Sequence, residues 1–419
     1  MPHDAPLITM LALAFVIAFA FGMIAQQFRL SPLVGYLLAG IAVGPHTPGF
    51  VADTVLAQQL AEIGVILLMF GVGLHFSPSD LMRVRWIAIP GAVVQIAVAT
   101  LLGFIVAQIF GWGIGGGLVF GLALSVASTV VLLRSLESRN EVDTDQGRIA
   151  VGWLLVEDIL MIVALLLLPA FADMLGDRPN SSGESVAYTL LMTAVKVALF
   201  AALALVVGKR AIPWLLQHVA NTGSRELFTL AVLACALGIA FGAAMLFDVS
   251  FALGAFFAGV IMNESELSHD AAQRSLPFQD AFAVLFFVSV GMLFQPSIIF
   301  DEPLGVLAVV LIIVFGKSLA AFLIVLAFRH PLTTALTVSA SLAQIGEFSF
   351  ILAGLGVSFG LLPPDGRDLI LAGALLSISL NPLLFRALEP LEAWLRARPD
   401  LLRRLGAEKL GMEKDDEKP

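Results

Sequence analysis

Residues 147–169 read GRIAVGWLLVEDILMIVALLLLP, an apolar run with two adjacent carboxyl groups, Glu157 and Asp158, at its centre. About 20 mostly apolar residues suffice to carry a helix across a bilayer. At 1.5 Å per residue the acidic pair lies roughly 16 Å from either end, near the midplane. A charge at that depth costs at least about 2.5 to 3.5 kcal/mol on insertion scales, so these groups need a partner or a purpose.

The rest of the 419-residue chain has the same character. It is 59% hydrophobic and only 13% charged, which excludes an ordinary soluble globule. Punctuation by Gly, Pro and charge gives thirteen candidate spans, at about 7–25, 32–44, 54–76, 86–109, 113–133, 147–169, 186–207, 226–246, 250–262, 279–295, 303–328, 331–360 and 368–388. The first is read as a span and not a leader, because no Lys or Arg precedes it. Basic residues gather in alternate loops: Arg29; Arg83 and Arg85; Arg134, Arg139 and Arg148; Lys209, Arg210 and Arg225; Arg274; Arg329; and Arg386 with the tail. Only Arg178 and Arg367 fall on the other side. The positive-inside rule then puts the N-terminus outside and the C-terminus in the cytoplasm of a bacterial inner membrane. The net charge of −9 points to no partner, and Cys235, the single cysteine, permits neither a disulfide framework nor a cysteine metal site. There is no Gly-rich nucleotide fingerprint and no basic-aromatic surface for nucleic acid, so function is expected within the bilayer.

Gly73-Leu74-His75-Phe76-Ser77-Pro78 is echoed 218 residues later by Gly291-Met292-Leu293-Phe294-Gln295-Pro296. Gly35, Ala39 and Gly40 are matched by Gly254, Ala258 and Gly259, and Ser31 by Ser250, at a shift of 219. Two helices sharing nearly one offset predict an all-α membrane protein made of two inverted six-helix repeats. The repeats are residues 1–169 and 226–388, joined by a connecting helix at 186–207 and followed by a cytoplasmic tail at 389–419. The same offset sets residues 123–129 (ALSVAST) opposite residues 341–347 (SLAQIGE), the most polar stretches inside any span. Both are predicted to interrupt their helices and to cross.

The remaining central charges are few. Lys317 lies midway along the eleventh span, Glu347 and Gln344 on the second interruption, Lys196 in the connector, and Glu62 toward the outer end of the third span. Asp158 is read as a carboxylate that binds either a desolvated monovalent cation or a proton. Burial opposes its charge and a nearby lysine favours it. Glu157, about 100° round the helix, is favoured as the ion-pair partner of Lys317, the other reading being that it lines a water-filled cavity. Lys317 either carries a proton released from that pair or holds the site together. Ser125, Ser128 and Thr129 are candidate oxygen donors to the cation, although such hydroxyls often bond back to the preceding turn. Gln344 and Glu347 are read as compensating the half-helix ends, and Lys196 and Glu62 as structural. His75, His218, His269 and His330 fall on the cytoplasmic side and carry no assigned role.

These residues carry a resemblance that covers essentially the whole chain. The Ala-Leu-Ser…Ser-Thr stretch ending at Thr129, Val156-Glu157-Asp158, Gly316-Lys317 and the Gln344 to Phe348 stretch (QIGEF) resemble the Kef-type branch of the monovalent cation:proton antiporter-2 family. The resemblance implies a homodimer with a dimerisation domain from spans one to three and eight to ten, and a mobile core that exchanges K⁺ or Na⁺ for protons by an elevator-like motion. K⁺ is preferred on the resemblance. Many Kef-type members have Gln-Asp where this chain has Glu157-Asp158, a pattern nearer the paired acids of electrogenic sodium/proton antiporters. Kef-type proteins usually carry a cytoplasmic nucleotide-binding domain. None is present before Pro419, whether in a short member or a truncated chain, and nucleotide regulation is not carried over. No cofactor beyond the transported ions is expected. A cation channel lacks a repeated carbonyl filter here, and an intramembrane enzyme lacks a midplane histidine.

Overall fold

The computed structural model describes residues 6–28, 30–47, 54–75, 78–137, 139–142, 144–175, 186–247, 249–265 and 267–397. Phe76, Ser77, Arg29, Arg178 and the tail from residue 398 therefore lie outside the described residues. The described chain is helical. Its first half contains α1 (Pro6–Gln27), α2 (Pro32–Val43), α3 (Thr54–His75), α4 (Pro78–Ile109), α5 (Ile114–Ser125), α6 (Thr129–Glu137), α7 (Asp145–Leu175), α8 (Val186–Leu203) and α9 (Lys209–Ala220). The second half contains α10 (Arg225–Phe247), α11 (Phe251–Asn263), α12 (Ser268–Met292), α13 (Ile298–Asp301), α14 (Pro303–Leu311), α15 (Lys317–Ala327), α16 (Leu332–Ser341), α17 (Glu347–Ser358) and α18 (Pro364–Arg396). Single π-helical turns at Ala204–Gly208 and Ile312–Gly316 join α8 to α9 and α14 to α15.

Among the described residues, eight helices are long and apolar enough to cross a membrane, and four shorter apolar helices accompany them. Large side chains such as Phe19, Trp86, Leu246 and Phe300 point outward, whereas much of the interior is alanine and glycine. That distribution suits a lipid surround, where close backbone packing has to replace a hydrophobic drive between helices. Several helices outrun the spans read from sequence. α12 begins eleven residues before 279, and α18 runs past 388 to Arg396 through Pro382 and Pro390. Hydropathy marks the lipid-immersed part of a helix, and the helix itself ends only where its capping does.

Packing is heaviest within two sets of helices: α1–α3 with α10–α12, and α4–α7 with α14–α18. In the first set, Ser31 and Ser250 each cap a short helix, accepting from the backbone N–H of Leu33 and Leu253. Gly40 on α2 abuts Val288 O and Gly291 on α12, while Gly259 on α11 abuts Phe70 O and Gly73 on α3. Likewise Gly35 meets Gly22, and Gly254 meets Ala240. Each contact is carried onto its counterpart by a shift of 218 or 219 residues.

The second set positions the interior polar groups. Its buried apolar cluster includes Ile87 and Ala92 of α4, Trp153 and Leu154 of α7, Ala321 and Val325 of α15, and Val338 of α16. Two chain interruptions lie against this wall, one between α5 and α6 at residues 126–128 and one between α16 and α17 at residues 342–346.

Candidate functional site

An interrupted helix inside a protein exposes carbonyls at one cut end and N–H groups at the other, with no water to satisfy them. In this chain each break supplies partners to the other. Gln344 accepts from Ser128 N–H at 2.9 Å through Oε1, and its Nε2 donates to Ser128 O and to Ser341 O, both at 3.2 Å. The Ser128 hydroxyl donates to Glu347 Oε2 at 3.2 Å and accepts from Val131 N–H at 3.3 Å, which caps α6. The backbones come so close that a Cβ on Gly346 would overlap Ser128, so only glycine fits there. Residues 123–129 and 341–347, which the 218-residue offset pairs, are thus in contact.

The charges sit at the cut ends whose polarity they oppose. Lys317 is fully buried, and its ammonium donates to Ser125 O at 3.2 Å and to Gln344 O at 2.8 Å. It follows directly on the π-helical turn at Ile312–Gly316, a distortion often found at functional positions. Glu347 is the first residue of α17, at a positive helix end. Glu157, also fully buried, accepts from Ala127 N–H at 2.9 Å through Oε2. The direct ion pair expected between Glu157 and Lys317 is absent, since no N···O distance of 4.0 Å or less joins them. Each instead binds backbone groups of the breaks, and the two charges interact without touching.

Asp158, one residue along α7, is 2% exposed. Its Oδ2 accepts from the Thr129 hydroxyl at 3.2 Å. Its Oδ1 is buried and makes no hydrogen bond to the protein. Asp158 also lies within the electrostatic reach of Glu347 and Glu157. Three carboxyl groups and one ammonium therefore share a water-poor interior in which unpaired charge is costly. That excess of negative groups calls for protons or bound cations.

The other expected donors divide. Thr129 reaches Asp158 and Ser128 reaches Glu347, but the Ser125 hydroxyl donates back to Leu122 O at 2.7 Å, leaving its carbonyl as the group that faces the centre. Lys196 and Glu62 carry exposed side chains and stand apart from the buried cluster. His330 is half-buried at the turn before α16, His218 stacks on Trp214, and His269 bonds Gln273, while the His75 side chain lies outside the described residues.

Sequence reasoning passed over two amides. Gln95, fully buried on α4, donates to Ser125 O at 3.0 Å. Asn381, fully buried on α18, donates to Ala340 O at 2.9 Å and accepts from the Ser135 hydroxyl at 3.1 Å, tying α6 and α16 to α18. A count of ionisable residues misses both, whereas a count of all polar side chains midway along apolar spans would have flagged them.

Residues 11–388 match the family described as "Sodium/hydrogen exchanger, transmembrane". The Escherichia coli (strain K12) protein named "Putative cation/proton antiporter YbaL" is 61% identical over 389 residues, spanning 93% of this chain and 70% of that protein. The Arabidopsis thaliana protein named "K(+) efflux antiporter 4" is 34% identical over 358 residues, 84% of this chain and 59% of the plant protein. The fold resembles that of the sodium proton antiporter MjNhaP1 from Methanocaldococcus jannaschii at pH 8, with a TM-score of 0.69 over 91% of this chain and 98% of that one. At 18% identity this is a likeness of fold.

Proposed function

This chain belongs to the transmembrane sodium/hydrogen exchanger family, a family of cation/proton antiporters, and we propose that it exchanges K⁺ for protons at one site centred on Asp158. The observation that carries the reading is the buried Asp158 Oδ1, which no protein group binds, beside an Oδ2 held by Thr129. A carboxylate so placed is neutralised either by a proton or by a desolvated cation, and occupancy by one excludes the other. Competition at one carboxylate, exposed in turn to each side, is exchange. Thr129 orients the carboxylate. Ser128, Gln344 and Glu347 keep the two breaks in register, and Lys317 offsets the negative cut ends.

The inverted-repeat architecture, with thirteen spans and crossed interrupted helices, is the frame we assign: residues 1–169 and 226–388 as the repeats, 186–207 as connector and 389–419 as tail. The paired contacts Gly40 with Gly291 and Gly259 with Gly73 support it. The division of packing into two helix sets supports a mobile core moving against a dimerisation scaffold, hence elevator-type exchange by a homodimer. We place it in a bacterial inner membrane with the N-terminus outside and the C-terminus cytoplasmic. Na⁺/H⁺ exchange is the second reading, favoured by the adjacent acids Glu157 and Asp158.

The test is cation-induced pH change in dye-loaded proteoliposomes, with K⁺, Na⁺ and Li⁺ in turn. Wild type should move protons with K⁺, and Asp158→Asn should abolish the movement. Unchanged exchange in that variant would overturn the reading, and a response to Na⁺ alone would select the second.

A further inference from the structure

We propose that Gln95 is a positioning residue that keeps the cut end of α5 capped, so that Lys317 can release it during exchange. The inference rests on the exchange reading above. Ser125 is the last residue of α5, and its carbonyl is one of the groups a helix end leaves without a partner. Two donors converge on it from different helices, Gln95 Nε2 of α4 at 3.0 Å and Lys317 Nζ of α15 at 3.2 Å. Gln344 O, the other acceptor of the ammonium, receives its bond from Lys317 at 2.8 Å and from no second side-chain donor among the described residues. The two carbonyls therefore differ: one is doubly held and the other depends on the lysine.

This asymmetry has a physical consequence. When the ammonium turns from Ser125, the carbonyl remains bonded to the amide, and no buried acceptor is orphaned. Without Gln95, the same movement would strand a carbonyl in the core, at the full desolvation cost of that group. Gln95 is a suitable fixed cap because it is fully buried and carries no charge, so its bond holds in every state of the carboxyl groups. Its orientation follows from the bond itself, because a carbonyl can only accept and so faces the amide nitrogen.

The experiment compares wild type, Gln95→Met and Gln95→Asn in the same proteoliposomes, reading kcat and cation KM separately, with thermal unfolding of each protein in detergent. Methionine keeps the length of glutamine and removes the donor. The asparagine variant keeps a donor on a shorter arm, which makes it the milder change. For Gln95→Met the expected result is a kcat lower by about tenfold with KM within about twofold, because Asp158 and Thr129 are untouched and only the release step is slowed. Gln95→Asn should fall between the two. If Gln95→Met does not fold, the asparagine variant alone must show lowered kcat at unchanged KM. A wild-type rate in the variants, or a loss of kcat and KM together in step with the unfolding temperature, would overturn the proposal. Failure of the wild type to exchange would instead remove the functional reading on which it rests.

Discussion

Replacing Gln344 by leucine removes the side chain that joins the two breaks, and the structure allows the cost to be worked out group by group. Three backbone groups lose a bond: Ser128 N–H, Ser128 O and Ser341 O. Ser128 O keeps a second partner, Leu132 N–H at 3.0 Å, so it is not orphaned. The other two are left buried without a partner, at about 1–3 kcal/mol each, or roughly 2–6 kcal/mol together. Burial of the leucine returns about 1–2 kcal/mol, leaving a loss of roughly 2–3 kcal/mol at the middle of those ranges. Against a typical total of about 5–15 kcal/mol this is readily measured. The assay is equilibrium unfolding in mixed micelles, followed by tryptophan fluorescence. Gln217→Leu is the control, since Gln217 is exposed on α9 and bonds only its neighbour Asn221; it should change stability by less than about 0.5 kcal/mol. If Gln344→Leu were no more destabilising than that control, the breaks would not depend on this side chain, and the argument from satisfied cut ends would be wrong.

Two further outcomes are expected. Gly346→Ala places a Cβ on the Ser128 backbone and should cost about 1–3 kcal/mol while abolishing exchange, whereas Gly354→Ala, eight residues along α17 where a Cβ meets nothing within 4 Å, should be neutral or stabilising by up to about 1 kcal/mol; parallel thermal unfolding of the two variants checks this. For His330, in the turn between α15 and α16, burial lowers the pKa and the opposing attraction of Asp145 only partly restores it. A folded value below the unfolded one means that the unfolded chain takes up the proton first, so this contribution to stability is present above the usual histidine range and is lost as pH falls through it. His330→Asn should flatten that slope in unfolding measured between about pH 8 and pH 5.

How much of the site could be read beforehand follows from the kind of signal each residue gives. Glu157, Asp158 and Lys317 stand out because charge is rare in apolar spans, and the two interruptions stand out as hydroxyl- and glycine-bearing stretches in helices otherwise built of leucine, valine and alanine. The contact between those stretches was also legible, through the 218-residue echo. Gln95 gave a fainter signal, since one uncharged amide in a span of valines and alanines is common. The partner of Lys317 gave none. Sequence chemistry favours a carboxylate for an ammonium, and the structure gives it two carbonyls.

The sequence by itself thus determined the apolar helices, the places where two of them stop, and the identity of the charges set among them, because these depend on local composition and on the cost of burying polar groups. The tertiary structure decided which of those polar groups satisfy one another. The end of α5 brings the Ser125 carbonyl within reach of Lys317 and Gln95, the second break brings the Gln344 carbonyl to Lys317, the first break brings the Ala127 N–H to Glu157, and the pairing that was expected between the two charges gives way to these. Hydrogen bonds act over about 3 Å, and only the packing of α4, α7 and α15 around the two breaks fixes distances on that scale.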